Sequence, residues 1–265
     1  MNYEKWDEIL APYQHAVEEL KVKFKNIRKE FLTKGEYSPI EFVTGRTKKI
    51  ASIVSKAKRL NIQDIEAEME DIAGIRIMCQ FVEDIYNIVN LIKLRSDMTI
   101  VYEKDYIKNF KDSGYRSYHV IIKYPINSIA GSKEILCEIQ IRTLAMNFWA
   151  TIEHSLKYKY EHYIPETLAV RLRRAADAAF LLDQEMSEIR EDIMKAQVMY
   201  QVKSVTLRDV LDKIQELYNV GETHKAIKYQ RRLDKIDNER DITEILQLKK
   251  EIDSLLQEYK NKVDD

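Results

Sequence analysis

The stretch Glu134-Ile135-Leu136-Cys137-Glu138-Ile139-Gln140-Ile141-Arg142 (EILCEIQIR, residues 134–142) decides how this chain folds. Ile135, Cys137, Ile139 and Ile141 alternate with Glu138, Gln140 and Arg142, the period-two pattern of a strand that buries one face. A carboxylate, an amide and a guanidinium then line the other face, a pattern that a merely solvated surface would also carry. Upstream, Asp71-Ile72-Ala73-Gly74-Ile75-Arg76 sets an aspartate just before a second short apolar strand, 75–81, on which Arg76 and Gln80 share a face with Met78. Two strands that each offer one carboxylate and one arginine suit a divalent metal beside a phosphate chain. Hard oxygen ligands hold Mg²⁺, and guanidinium forks match phosphate oxygens.

Working outward, Trp6, Leu10, Tyr13, Val17, Leu20, Phe24, Ile27 and Phe31 recur at spacings of three and four, which predicts a long amphipathic helix over 3–32. Gly35 and Pro39 end it. A turn over Glu41–Arg46 leads to a second helix, 48–60. Strand 75–81, helix 82–95, strand 98–103, a polar loop 104–117, strand 118–124, a turn over 127–132 and strand 134–142 follow. This order predicts an α/β (α+β) chain, a mixed β-sheet surrounded by helices. From Leu144 to about Tyr200 the pattern is helical with an interruption near Pro165, and a helical appendage, 203–265, closes the chain with helices over 206–219, 222–235 and from 241. The expected organisation is therefore an N-terminal helix (1–34), a core (35–200) and the appendage.

With 265 residues and 45% hydrophobic content the chain can bury a sizeable core. A net charge of −1 argues against bulk attraction to nucleic acid or membrane, so anion recognition must come from local clusters. No apolar run approaches the roughly 18–20 residues of a membrane span. The N-terminus, MNYEKWDE, lacks the basic-then-apolar profile of a signal peptide, and the expected location is cytoplasmic. Cys79 and Cys137 fall in apolar strands and read as buried thiols.

Two basic clusters stand out. Lys48, Ser52, Lys56 and Arg59 form one stripe of the second helix, either a solvated face or a grip for a triphosphate, with Gly45-Arg46 expected to free backbone amides at the helix start. The loop KDYIKNFKDSGYRSY (104–118) interleaves Lys104, Lys108, Lys111 and Arg116 with Tyr106, Phe110, Tyr115 and Tyr118, cations for phosphates and rings for bases. His119 opens the next strand beside them; a lone strand histidine is more often structural than catalytic.

The runs GRTKKIASIVSKAKR, DIAGIR, DYIKNFKDSGYRSYH and EIQIRTLAMNFWATIEHSLKYKY, in this order, closely resemble the RelA/SpoT synthetase domain over about residues 3–200, and EFVTGR and RTLAMNFWATIEH are similar to the RelQ branch of small alarmone synthetases. The resemblance implies a sheet of the nucleotidyltransferase-like synthetase type. It also implies transfer of the β,γ-pyrophosphoryl group of ATP to the 3′-hydroxyl of GDP or GTP, with release of AMP. Asp71 and Glu138 would hold Mg²⁺, and Glu138 would orient or deprotonate the attacking hydroxyl. Arg46 and Arg76 would sandwich adenine, while Lys48, Ser52, Lys56 and Arg59 would grip the donor phosphates. Tyr115 would stack on guanine and Asn147 bond its edge, with Lys104, Lys111, His119 and Gln140 around the acceptor's phosphates and ribose. The acidic run Glu68-Met69-Glu70-Asp71 resembles versions tied to Mg²⁺ and to broader or GDP-leaning acceptor choice. None of the histidines, at 15, 119, 154, 162 and 224, precedes an aspartate, so the His-Asp pair of the long relatives' hydrolase domain is missing and a synthetase-only enzyme is expected.

On the first helix Lys21, Lys25 and Arg28 stand beside an apolar stripe that looks too long for one small domain to cover, which predicts a helix packed between subunits with a basic edge at the seam. In the RelQ-like branch this edge resembles the wall of a cleft for pppGpp, completed by Glu41, Phe42 and Thr44, and implies a homo-tetramer activated by its product. A general nucleotidyltransferase would need a Gly-Ser turn with a paired Asp-x-Asp, and Gly131-Ser132 lacks that pair. A chain that is chiefly an RNA-binding regulator would use the same cationic and aromatic clusters. Balanced charge weakens that reading but leaves single-stranded RNA open as a second partner.

Overall fold

The computed structural model describes residues 3–129, 131–159, 165–236 and 242–263. Ala130 in the expected 127–132 turn, His162 and the residues just before Pro165 lie outside them. The chain forms two compact units, Met1–Glu188 and Ile189–Asp265.

In the first unit, α1 (Tyr3–Thr33) leads to β1 (Phe42–Thr47), α2 (Ile50–Leu60) and a short α3 (Ile65–Glu68). Then follow β2 (Ala73–Cys79), α4 (Val82–Lys93), β3 (Thr99–Asp105), β4 (Tyr118–Ser128), β5 (Gly131–Thr143) and α5 (Leu144–Lys159). The sheet order is β1-β2-β5-β4-β3, with β2 and β5 parallel and the other pairs antiparallel. The mixed sheet expected from the alternation is thus present.

Three local expectations are corrected. Residues 42–47 are an edge strand, not a turn: they pair along β2, and Gly45 is needed because a Cβ there would stand 2.9 Å from both Ile75 Cδ1 and Val17 Cγ1. The helix start therefore lies further on, after Lys49. The apolar stripe of α1 is covered by its own unit: Leu10, Tyr13, Ala16, Val17, Leu20 and Phe24 are buried in one core with Val43, Ile75, Ile77 and Ile139 of the sheet. The length that seemed to call for a second subunit is used by the sheet's apolar face. Finally, α6 (Glu166–Asn219) is one uninterrupted helix through the boundary expected between 200 and 206.

The second unit takes the end of α6, α7 (Thr223–Leu233) and α8 (Ile242–Val263). Its own core joins Val210, Ile214 and Leu217 to Ala226, Leu233, Ile245, Leu248 and Ile252. No described helix is long and apolar enough to cross a membrane.

Candidate active site

Side chains paired across a sheet share a face. The register places Thr44 opposite Arg76 and Arg46 opposite Gly74 on β1 and β2, and Arg76 beside Gln140 and Gly74 beside Glu138 on β2 and β5. It goes on to set Gln140 opposite His119 and Lys104 opposite His119 on β4 and β3. The strand residues expected around a nucleotide therefore lie on one face of five adjacent strands. The opposite face is the apolar core.

At the centre, five side chains close a ring of hydrogen bonds. Arg142 donates to Gln140 Oε1 (2.6 Å) and to the Tyr115 hydroxyl (2.5 Å). Gln140 donates to Glu138 Oε2 (2.8 Å), His119 Nδ1 stands 2.9 Å from Glu138 Oε1, and the Tyr115 hydroxyl lies 2.8 Å from His119 Nε2. With Nδ1 protonated toward Glu138, Nε2 accepts from Tyr115, whose oxygen accepts from Arg142; each bond of the ring then runs from a donor to an acceptor. Burial opposes charge on Glu138, but His119 and Gln140 outweigh it and hold the carboxyl below its ordinary range. Glu138 is thus ionised at neutral pH. Tyr106 and Lys111 flank the ring, with Lys111 Nζ 4.7 Å from the Tyr106 ring and 5.1 Å from that of Tyr115. Lys104 bonds Tyr102, which in turn donates to Glu70.

The other half is built around Asp71. Asp64 caps α3, accepting from Glu66 and Ala67, while Glu68 folds back to the Asp64 amide; this small box fixes the path by which the chain enters Asp71 and β2. Asp71 Oδ2 receives Lys48 (2.6 Å) and Lys56 (2.9 Å). Burial raises its pKa, and the two ammonium groups more than reverse this, so the carboxyl lies below its ordinary value. Oδ1 is buried without a partner. Glu138 lies close enough for the Asp71 charge to act on it. Ser52 and Arg59, on the same stripe of α2, are exposed, as is Arg46. Arg76 is held below its ordinary value by burial, then by Arg142 and Arg46. Guanidiniums crowded this way favour an incoming anion. Asn147 is half-buried in the first turn of α5.

The residues expected to form an allosteric cleft are divided by the edge strand. The Lys21 side chain runs beneath Gly45 on the α1 side and pairs with Glu18 at 2.8 Å, whereas Phe42 and Thr44 belong to the opposite face of β1. Arg28 braces the Ile40 carbonyl (3.0 Å), Glu41 accepts from Gln80 (2.8 Å), and Lys25 is exposed.

A family signature described as "Region found in RelA / SpoT proteins" matches residues 45–163. The Bacillus subtilis protein named GTP pyrophosphokinase YjbM is 54% identical over 204 residues, 77% of this chain and 97% of that protein. The chain belongs to the RelA/SpoT family. Among solved structures, small alarmone synthetase 1 from B. subtilis bound to its product pppGpp superposes with a TM-score of 0.70 at 56% identity, over 72% of this chain and 98% of that one. The same synthetase bound to AMPCPP gives 0.65 at 51% identity, over 72% and 99%.

Arg142, Tyr102, Tyr106 and Glu70 lie in contact with the residues expected at the site, through Gln140, Lys104, Lys111 and, for Glu70, Tyr102. Arg142 carried a signal, as the last outward position of the 134–142 alternation. Tyr106 carried one as a ring interleaved with the cations of the 104–118 loop, and Glu70 as part of the acidic run 68–71, whereas Tyr102, on strand β3, carried none until the fold set it against Lys104 and Glu70.

Beneath the family site, Thr143 caps α5 by accepting from the Met146 amide (3.1 Å) and donates to Asp183 Oδ2 (2.6 Å). Burial pushes the Asp183 carboxyl up to about 6 despite that bond, with the Glu83 charge adding. The folded chain then binds more protons than the unfolded chain between the ordinary carboxylate range and about 6, so stability falls as pH rises through that window. Asp183→Asn should remove this slope and raise stability at about pH 7.5 by ~1–2 kcal/mol. A thermal midpoint that stays equal to wild type or drops at that pH would contradict the assignment.

Proposed function

We propose that the chain transfers the β,γ-pyrophosphoryl group of ATP to the 3′-hydroxyl of GDP or GTP, yielding AMP and ppGpp or pppGpp. The observation that carries this reading is the closed ring through Arg142, Gln140, Glu138, His119 and Tyr115, set beside Asp71 and its two lysines. The relative's name, GTP pyrophosphokinase, and the product-bound and AMPCPP-bound synthetases support it.

Lys48, Ser52, Lys56 and Arg59 take the donor phosphates, and Arg46 and Arg76 flank adenine. Tyr115 stacks on guanine and Asn147 bonds its edge, while Lys104, Lys111, His119 and Gln140 surround the acceptor's ribose and phosphates. Glu138 is too acidic to strip a hydroxyl of its proton in advance. It accepts a hydrogen bond from the 3′-hydroxyl and takes the proton as the new O–P bond forms and AMP departs from the β-phosphorus. His119 on Oε1 and Gln140 on Oε2 fix the carboxylate's orientation, and each oxygen keeps a further lone pair for the hydroxyl. Asp71 Oδ1, buried and unpaired, together with the Glu138 carboxylate, is a donor set that fits Mg²⁺. Mg²⁺ held there would neutralise charge on the transferring phosphates. The proposal includes synthesis without hydrolysis. AMP release from ATP that requires GDP or GTP supports it, and AMP or ADP release at the same rate without a guanine nucleotide contradicts it.

Stimulation by pppGpp belongs to the proposal, with Lys25, the exposed member of the Lys21, Lys25, Arg28 edge, as the cation that recognises it, and Glu41, Phe42 and Thr44 across β1. A ligand there would act through β1, which carries Arg46 into the donor site. Lys25→Ala should abolish stimulation by added pppGpp and spare the basal rate. A wild-type progress curve with neither lag nor response to pppGpp would rule this out. A homo-tetramer with α1 at the seam is also proposed, with Val22 and Leu32 of α1 and Leu181, Leu182 and Met186 of α6 as its exposed apolar residues. Sedimentation as a monomer at micromolar concentration would contradict it.

A further inference from the structure

We propose that residues 172–183 of α6, which contribute no group to the reacting atoms, are a template that fixes the acceptor half of the site, with Arg116 and Asp177 as its positioning residues. Four attachments recur along this segment, at 172, 176–177, 180 and 183, successive turns of one helical face. The Leu172 carbonyl accepts from the Trp149 indole at 2.9 Å. Ala176 fills the space under Gly114: a Cβ on Gly114 would stand 2.5 Å from that of Ala176, and the glycine's φ of +86° is one few other residues adopt. Asp183 holds Thr143, the residue that starts α5.

The fourth attachment is the strongest. Arg116 is only 6% exposed, and its guanidinium lies between the rings of Phe110 and Phe180, 4.4 and 4.5 Å from their centroids. It donates to Asp177 Oδ1 at 3.0 Å and to the carbonyls of Gly114 (3.1 Å) and Ala176 (3.5 Å). A buried cation survives only where it is paired and stacked, and this one still leaves Nε without an acceptor. Such an expenditure of burial on a loop residue makes sense as fixation. The neighbouring side chain, Tyr115, turns the other way into the hydrogen-bonded ring and rests against Trp149, Ala150 and Ala176.

The parts so fixed are the 106–117 loop and α5, which carry Tyr115, Lys111 and Asn147. The attachments do not include Lys48, Lys56 or Arg46. The template therefore sets affinity for the acceptor and not for the donor, an inference that rests on reading Tyr115 and its loop as the acceptor site.

Asp177→Asn tests it in the full chain. The carboxylate is half-exposed, so the variant should fold. Amide exchange in the 106–117 loop should accelerate, and KM for GTP should rise roughly three- to tenfold. KM for ATP and kcat at saturation should stay within about twofold, and Asp177→Glu should restore the wild-type values. Unchanged loop exchange would overturn the template. Faster exchange with an unchanged KM for GTP would instead overturn the placement of the acceptor at this loop, and the template's role with it. Equal rises in both KM values would overturn the claimed selectivity.

Discussion

Glu138→Gln is expected to lower turnover at least ~10³-fold while the fold survives. The exchange keeps volume and leaves an oxygen for one of the two donors, His119 or Gln140, that hold the carboxylate. It removes the charge that orients the 3′-hydroxyl and the site that receives its proton. Nucleotide binding should change far less than turnover, because the lost interaction grows only as the new bond forms. Since His119 and Gln140 keep the Glu138 carboxyl below its ordinary range, the acid limb of the wild-type rate profile should lie at or below the range of a free glutamate. Rapid-quench kinetics on a folded Glu138→Gln enzyme would check this, and near-wild-type turnover would remove Glu138 from the mechanism.

Asp71→Asn should cost about 10²–10³ in turnover, for a different reason. It loses the buried, unpaired Oδ1 as an anionic ligand and frees Lys48 and Lys56 from a shared anchor. The apparent Mg²⁺ requirement should shift upward with the loss, which a magnesium titration at fixed nucleotide reads directly. A variant as active as wild type at low Mg²⁺ would show that the metal is held elsewhere.

The sheet was legible because burial is periodic. Ile135, Cys137, Ile139 and Ile141 point one way in sequence and lie in one core in space, and the same alternation pointed Glu138, Gln140 and Arg142 toward the site. β1 was not, since the run Phe42–Thr47 buries only Val43 fully and holds a glycine whose purpose is close packing on α1 rather than turning the chain. The apolar stripe of α1 was read correctly as a stripe, but its length is no argument for a subunit seam, because the sheet of its own unit covers it: periodicity shows which face is buried, never what buries it. Asp71 with Lys48 and Lys56 joins residues up to 23 apart, where a charge stripe gave a hint. Arg116 with Asp177 joins residues 61 apart: the loop's alternation of cations and rings marked Arg116, but for phosphates and not as a buried partner of α6, and no local pattern marks Asp177.

The central claim is that two phosphoryl groups leave ATP together for the 3′-oxygen of a guanine nucleotide. Incubating the enzyme with Mg²⁺, GDP and ATP radiolabelled at the γ-phosphorus, in parallel with ATP labelled at the α-phosphorus, tests it by chromatography of the products. The account predicts that γ-label moves into a guanosine tetraphosphate while α-label appears only in AMP. Appearance of α-label in ADP, or of γ-label as free phosphate with no labelled guanine nucleotide, would contradict it.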